Sequence, residues 1–403
     1  MTHIAWLGKK SPFCGNVTYG LTTTYALRQR GHGVSFIHFD TPATGLARPF
    51  GELGERHSPR STSEANGAEN PEVALPYLVK SQVYTIPSPG AQRELRESLE
   101  RLRPDVVHAS LTLSPLDFRL PDLCQQLGLP LVATFHPPFD ASLRNLTAGT
   151  QQLTYQLYAP SLARYDRVIV FSELQAEVLQ RLGVPANRLA VIPNGVDTDL
   201  WQPASAEASP ELMELRQRFA GRRVFLYMGR VATEKNVEAL LKAWRLVRPA
   251  GCVLVVVGDG PLRTALQQAG GDEPDVVWWG YEPRLEMRVA LQQLAEVFLL
   301  PSLVEGLSLA LLEAMAAGTA CVATDAGADG EVLEGGAGIV ISTQGVTTQL
   351  RTLLPVLRDQ PLLTAELGRR GRHRALERYT LTGNIDALEA LYRELVPQRS
   401  LAA

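Results

Sequence analysis

Glu305 and Glu313 stand eight residues apart in the segment of this 403-residue sequence richest in chemistry. The segment runs Pro301-Ser-Leu-Val-Glu305-Gly306-Leu307-Ser308-Leu-Ala-Leu-Leu-Glu313-Ala-Met-Ala-Ala-Gly318. It reads as a strand end, a short loop and a helix opening near Ser308. The N-terminus of such a helix presents unpaired N–H groups and a partial positive charge, which suits a diphosphate. Glu313 lies amid Leu311, Leu312, Ala314 and Met315, and a carboxylate in an apolar run needs donors. Sugar or ribose hydroxyls would supply them. Taken singly, Glu305 reads as a loop acid and Glu313 as a solvated helix position; as a pair in this setting they read as a site.

Gly229-Arg230-Val-Ala-Thr-Glu-Lys235-Asn236 adds two cations between a strand and a helix that begins at Asn236. Only five residues of the chain are Lys (9, 10, 80, 235 and 242), against 39 basic residues in all, so a Lys at this position is conspicuous. A cation at a helix N-terminus opposes the dipole unless an anion sits between them. Two cations there can neutralise a leaving diphosphate as charge develops on it. The plain alternative is an ordinary Arg with Glu234 and Lys235 as surface charges.

Weaker signals accompany these. Gly258-Asp-Gly-Pro261 is a tight strand-to-helix turn of a common kind. Trp278-Trp279-Gly280-Tyr281 ends a strand, and its aromatics suit either a flat base or a core. Phe13-Cys14-Gly15-Asn16 follows the first strand, where Gly15 lets backbone N–H groups approach a ligand. One glycine is not a dinucleotide fingerprint. His136, after the apolar run 129–133, falls at a strand end, either as a structural His or as a cleft residue. Asp197-Thr-Asp199 spells a metal-binding pattern but sits in the Asn194-Gly195-Val196 linker turn, so no metal and no cofactor is expected.

The elements that must position these groups follow an α/β pattern in both halves. Strands are expected near 3–8, 34–39, 83–86, 105–109, 130–134, 167–171 and 189–192. In the second half they fall near 223–229, 253–257, 276–279, 296–300, 320–323 and 338–341. Helices lie between them, among them 17–31, 91–102, 236–247, 284–293, 308–317 and 361–377. Two doubly wound, Rossmann-like domains are expected, 1–200 and 201–379, facing each other across a cleft. A last helix is expected from about 380 to 403, and the resemblance given below implies that it packs back on the first. Residues 42–75 break the pattern and read as a long mobile loop, from which about 53–70 should be removable without loss of the fold.

Composition bounds the partners. A net charge of −3 argues against bulk electrostatic binding of nucleic acid. The four Cys (14, 124, 252 and 321) form no paired motif, and no signal-peptide pattern opens the sequence. The chain is expected in the cytoplasm, or peripherally on the cytoplasmic face of a membrane, which the cyanobacterial resemblance given below would make the thylakoid. Tyr155, Leu157, Tyr158, Leu162 and Tyr165 could face a bilayer, with Lys9, Lys10, Lys80 and Arg144 near its surface, although the spacing fits a core-facing helix better. Through position 200 the chain carries 18 basic and 18 acidic residues, so any membrane contact would have to be a local patch of the first domain.

These motifs resemble retaining glycosyltransferases of the GT-B type, family 4, over nearly the whole chain. Glu305 and Glu313 match that family's paired glutamates, Arg230 and Lys235 its paired cations, and Asn194-Gly195-Val196-Asp197 its linker. The resemblance implies a nucleotide-sugar donor held mainly by the second domain and an acceptor on the first. It implies that Glu305 contacts the transferred sugar, Glu313 the ribose, and Arg230 and Lys235 the diphosphate, helped by N–H groups near Gly306, Leu307 and Ser308. It places His136 beside the sugar and Gly15 beside the phosphates, with Gly229, Gly258 and Tyr281 completing the donor site. The reaction it implies is metal-independent. Three stretches, from Trp6 to Tyr19, from Leu111 to Asp117 and from Thr134 to Pro138, also resemble cyanobacterial digalactosyldiacylglycerol synthases. That implies UDP-galactose as donor and monogalactosyldiacylglycerol, a membrane glycolipid, as acceptor. A soluble or polysaccharide acceptor, or a nucleotide-sugar epimerase on the same architecture, are the alternatives.

Overall fold

The structure is a computed structural model that describes residues 1–11, 14–40, 71–81, 84–139, 148–205, 207–271 and 273–396. Phe13, Arg144 and the 53–70 deletion therefore lie outside the described residues. By packing, the chain divides into two compact units, Met1–Thr134 with the chain end from Glu394, and Phe135–Arg393.

The elements of the first unit are β1 (His3–Gly8), α1 (Gly15–Gln29), β2 (Gly33–Phe39), β3 (Val73–Leu75), β4 (Tyr77–Lys80), β5 (Thr85–Pro87), α2 (Ala91–Leu102), β6 (Val106–Ser110), α3 (Leu120–Leu127) and β7 (Leu131–Thr134). The second unit continues with α4 (Ala148–Leu162), β8 (Arg167–Val170), α5 (Glu173–Arg181), β9 (Leu189–Val191), α6 (Pro210–Arg218), β10 (Arg223–Met228), α7 (Val237–Val247), β11 (Cys252–Val257), α8 (Arg263–Gly270) and β12 (Val276–Gly280). It ends with α9 (Leu285–Leu294), β13 (Val297–Leu300), α10 (Leu309–Ala316), β14 (Ala320–Thr324), α11 (Asp329–Val332), β15 (Ile339–Ile341), α12 (Val346–Asp359), α13 (Pro361–Arg378) and α14 (Leu381–Leu395).

The strands form a seven-stranded sheet of order β3-β2-β1-β6-β7-β8-β9, a six-stranded sheet of order β12-β11-β10-β13-β14-β15 and the separate antiparallel hairpin β4-β5. In the six-stranded sheet every neighbouring pair is parallel. Its central strands are buried along their whole length, as in Cys252–Val257, because crossover helices cover both faces. That is why they read as continuous apolar runs in the sequence instead of alternating ones. In the second sheet the strand order reverses between β10 and β13. Ligands of open α/β sheets bind beyond the C-terminal strand ends at such a switch point. The loops that leave β10 and β13 there are the ones carrying Arg230, Lys235 and Glu305.

Most expected elements form within a few residues of their expected bounds. One correction concerns 42–75. Of that stretch 42–70 lies outside the described residues, but Val73–Leu75 is a strand pairing in parallel with β2, with Val73 and Leu75 buried. A three-residue strand is too short to show periodicity against a polar background. Helices α3 and α6 and the hairpin were likewise not anticipated. The linker region is tied to the end of the chain: Val196 N donates to Tyr379 O at 2.8 Å, Leu381 N to Val196 O at 2.8 Å, and Asn384 Nδ2 to Pro193 O at 2.7 Å. Gly195 permits this, since a Cβ there would stand 2.6 Å from Leu381 Cα.

Candidate active site

Two turns at the switch point are pressed together by their backbones. Gly229 N donates to Val257 O at 2.9 Å, Gly258 N to Gly280 O at 2.7 Å and Val231 N to Asp259 O at 2.9 Å. Gly258 has φ +129°, and a Cβ there would fall 1.9 Å from Gly229 O. Gly258 is therefore a glycine of close backbone packing against Gly229, where a Cβ would meet the Tyr227 hydroxyl at 3.0 Å, and the two set the course of the chain into Arg230. Buried Tyr227 donates its hydroxyl to Arg230 O at 2.6 Å. Burial, with Glu305 and Glu234 nearby, pushes that phenol well above its usual range, so it stays a donor. Arg230 faces Glu234 at 3.5 Å. Lys235 ends a single 3-10 turn, and Asn236 at φ +52° turns the chain into α7.

The loop after β13 is held from several sides. Lys235 Nζ stands 2.5 Å from Glu305 Oε1, and the Glu305 side chain is largely buried. Glu305 O accepts from Phe139 N at 3.2 Å, Gly306 O from Ala328 N at 2.8 Å and Leu307 O from Asn194 Nδ2 at 3.1 Å. His136 lies in the same segment as Phe139. A Cβ on Gly306 would stand 3.2 Å from His136 O, so His136 is brought to the Glu305 loop. Ser308 caps α10 through its Oγ, which accepts from Leu311 N at 3.3 Å.

Ser308 also brings a correction. Its own N–H donates to Asp329 Oδ1 at 3.0 Å. It does not stand free for an anion, whereas the N–H groups of Gly306 and Leu307 have no partner among the described residues. The reason is tertiary: the turn after β14 folds back so closely that a Cβ on Gly327 would meet Glu305 O at 2.2 Å.

Glu313 lies on α10, half-buried between the buried residues Leu312 and Ala314. Burial pushes it up to about 7, opposed by the more distant charge of Arg288. No cation is within ion-pair distance of Glu313, and Arg288 Nε is itself buried without a partner, both among the described residues. Tyr281 stands largely exposed beyond β12, beside buried Glu282, which accepts from Trp279 Nε1 at 3.1 Å and from Arg284 Nε at 3.1 Å. Gly15 lies in the first unit, at the start of α1. Cys14 supplies no side-chain cap, and a Cβ on Gly15 would meet nothing within 4 Å.

Sequence patterns of known families match on both sides of this geometry. One described as Glycosyltransferase Family 4 covers residues 15–200, and one described as Glycosyl transferases group 1 covers 222–359. The chain belongs to glycosyltransferase family 4. The transferase is 27% identical over 285 residues to alpha-D-kanosaminyltransferase of Streptomyces kanamyceticus, covering 67% of this chain and 72% of that protein. It is 27% identical over 308 residues to alpha-maltose-1-phosphate synthase of Mycolicibacterium smegmatis, covering 72% and 79%. Its structure superposes on HepE of Anabaena in complex with UDP-glucose with a TM-score of 0.73 at 18% identity, over 98% of this chain and 100% of that one. That likeness establishes the GT-B fold. The family is one of retaining hexosyltransferases that use nucleotide-sugars, and neither the patterns nor these relatives reach a galactolipid acceptor.

Other residues singled out in the transferase have structural partners. Asp197 Oδ1 accepts from the N–H groups of Asp199 and Leu200, at 3.1 and 3.0 Å, as a turn cap. Lys9 is buried. Lys80 donates to Ser11 Oγ at 2.9 Å and Phe39 O at 3.2 Å, and Lys10 pairs with Glu72. These three lysines are built into the first unit instead of forming a free basic patch, and Arg144 lies outside the described residues. Tyr155, Tyr158, Leu162 and Tyr165 are buried and only Leu157 is exposed, so the core-facing alternative holds for that stripe. No described helix is long and apolar enough to cross a membrane.

Tyr227, Phe139, Asn194 and Asp329 join the site without having been anticipated. The one signal pointing to any of them is Asn194, which precedes the conspicuous Gly195. The others act through backbone atoms or over long sequence separations.

Proposed function

We propose that this transferase moves a hexose from a UDP-sugar, with retention, to a hydroxyl of a saccharide acceptor. The observation that carries this is Lys235 held at 2.5 Å against Glu305, the residue directly before the two unpaired amides at the opening of α10. Arg230 and Lys235 with the Gly306 and Leu307 N–H groups meet the diphosphate. Ser308 serves as the helix cap, Glu313 takes the ribose hydroxyls, and Tyr281 walls the base. Glu305 and His136 flank the sugar, and Gly229 and Gly258 hold the Arg230 turn in place. The working division falls near residue 200: 1–200 takes the acceptor and contributes Gly15, 201–379 takes the donor, and the helix from about 380 returns to the first.

The acceptor oxygen bonds to the anomeric carbon on the face from which the diphosphate departs. The C–O bond to the diphosphate breaks with its electron pair on the leaving oxygen, and a diphosphate oxygen receives the acceptor proton. The protein's task is to position the partners and to stabilise charge on the leaving group. Because Arg and Lys do this, turnover should persist in excess EDTA; loss in EDTA with recovery in Mn²⁺ would refute the assignment.

A second reading takes UDP-galactose as donor and a membrane galactolipid as acceptor, with the transferase peripheral on a membrane through its first domain. The hairpin β4-β5 favours it, because Leu78, Val79, Tyr84 and Ile86 are all exposed there. Incubation with labelled UDP-glucose and UDP-galactose against soluble oligosaccharides and galactolipid vesicles separates the two. Label confined to water-soluble products supports the first reading, label in the lipid phase supports the second, and transfer from no nucleotide-sugar removes both.

Glu313 makes donor binding pH-dependent. Two ribose O–H donors favour the ionised carboxylate, so UDP-sugar binding should release a proton below about pH 7 and tighten as pH rises through 7. Folding follows the opposite sign. A carboxyl raised from 4.5 to about 7 in the fold destabilises it as pH climbs across that window. Glu313→Gln should flatten both dependences; a binding-pH profile unchanged in Glu313→Gln would rule Glu313 out as the ribose ligand.

A further inference from the structure

Asp329 is a completely buried carboxyl that the donor roles above leave unexplained. One oxygen accepts the Ser308 N–H at 3.0 Å, and Oδ2 has no partner among the described residues. Two carboxyls thus lie close to one cation. Lys235 is paired with Glu305 at 2.5 Å, while Asp329 has no ion-pair partner among the described residues. A charged Asp329 would be an uncompensated buried anion beside another carboxylate, whereas a neutral carboxyl leaves only one unpaired O–H, a much smaller cost. Burial and the neighbouring Glu305 both push Asp329 well above the usual carboxylate range.

The turn bearing Asp329 grips the donor loop at two further points. Ala328 N donates to Gly306 O at 2.8 Å, and Gly327, at φ +57°, lies against Glu305 O. We propose that Asp329 is a positioning residue of the donor site: its carboxyl group fixes the Ser308 amide, and with it the Gly306 and Leu307 amides that meet the diphosphate. Neutrality has a purpose in this place. An ionised carboxylate bonded at the opening of α10 would compete with the diphosphate for the same helix dipole. A protonated one orders the loop without putting an anion there. The inference rests on the donor reading above.

The test compares Asp329→Asn, a neutral near-isostere, with Asp329→Ala, using UDP binding by calorimetry, donor KM and kcat, and thermal melting. Asp329→Asn should bind UDP within about threefold of wild type and keep its pH–rate profile between about pH 6 and pH 9. Asp329→Ala should weaken UDP binding and raise donor KM by about tenfold or more, with kcat at saturating donor and acceptor KM little changed. Wild-type UDP affinity in Asp329→Ala would overturn the proposal, as would damage in Asp329→Asn equal to that in Asp329→Ala. Should Asp329→Ala not fold, Asp329→Asn alone decides between a neutral and a charged requirement. Failure of the wild-type protein to bind UDP would overturn the donor reading itself, and the proposal with it.

Discussion

Lys235→Ala is expected to lower kcat by about 10²- to 10³-fold, the range seen when one preorganised charge-stabilising group is removed. Lys235 is a compact cation fixed by Glu305 at 2.5 Å, so its charge is in place before the leaving group develops its own. No described residue stands ready to replace it, since Arg230 faces Glu234 on its own turn. Lys235→Arg should rescue little, because a planar guanidinium cannot occupy a site shaped for an ammonium. Removing Lys235 also leaves the largely buried Glu305 carboxylate without its cation, which threatens the fold. The double variant Lys235→Ala/Glu305→Gln controls for this. It should melt near wild type yet remain as inactive as the single variant. A folded Lys235→Ala protein with near-wild-type kcat would remove Lys235 from the site.

Gly258→Ala is expected to destabilise the transferase by about 3–5 kcal/mol, at the upper end for a single substitution. Two independent physical causes act together. The backbone sits at φ +129°, where L side chains are strained, and a Cβ would overlap Gly229 O at 1.9 Å. The contact is backbone against backbone, so no side chain can swing away to relieve it. To make room the Gly229–Val231 turn must move, and Arg230 moves with it. Thermal or denaturant unfolding checks the stability loss, and donor KM in the surviving folded fraction checks the displacement. A melting curve that overlays wild type would show that the two turns are not rigidly joined. Gly15→Ala is the contrast, because its Cβ would enter open space.

The donor loop shows how far sequence reasoning reaches. Glu305, the helix start near Ser308 and Lys235 were legible because each lies within a few residues of a strand end or helix start, and such ends can be read from local apolar runs. The pairing of Lys235 with Glu305 was not legible, since it joins loops 70 residues apart. Ser308 was misjudged for the same reason. Its N–H looked free because the acceptor, Asp329, arrives 21 residues later through the turn after β14. Lys10 and Lys80 read as scattered surface charges, because charge alone does not reveal that Glu72 stands beside the first and Ser11 and Phe39 beside the second.

By itself, the sequence determined the α/β architecture and the class of enzyme, and it singled out most of the residues proposed for the site. Apolar runs about the length of a strand, alternating with helical periodicity, have few packings other than parallel sheets covered by helices. Tertiary structure alone decided which charges are free to act. It drew Lys235 onto Glu305, closed the Ser308 amide with Asp329, enclosed Glu313 far enough to push its carboxyl above the usual range, and absorbed three lysines into the first unit. The physical reason is that a strand or helix follows from neighbours along the chain. The charge state and availability of a polar group depend on burial and on partners across the fold.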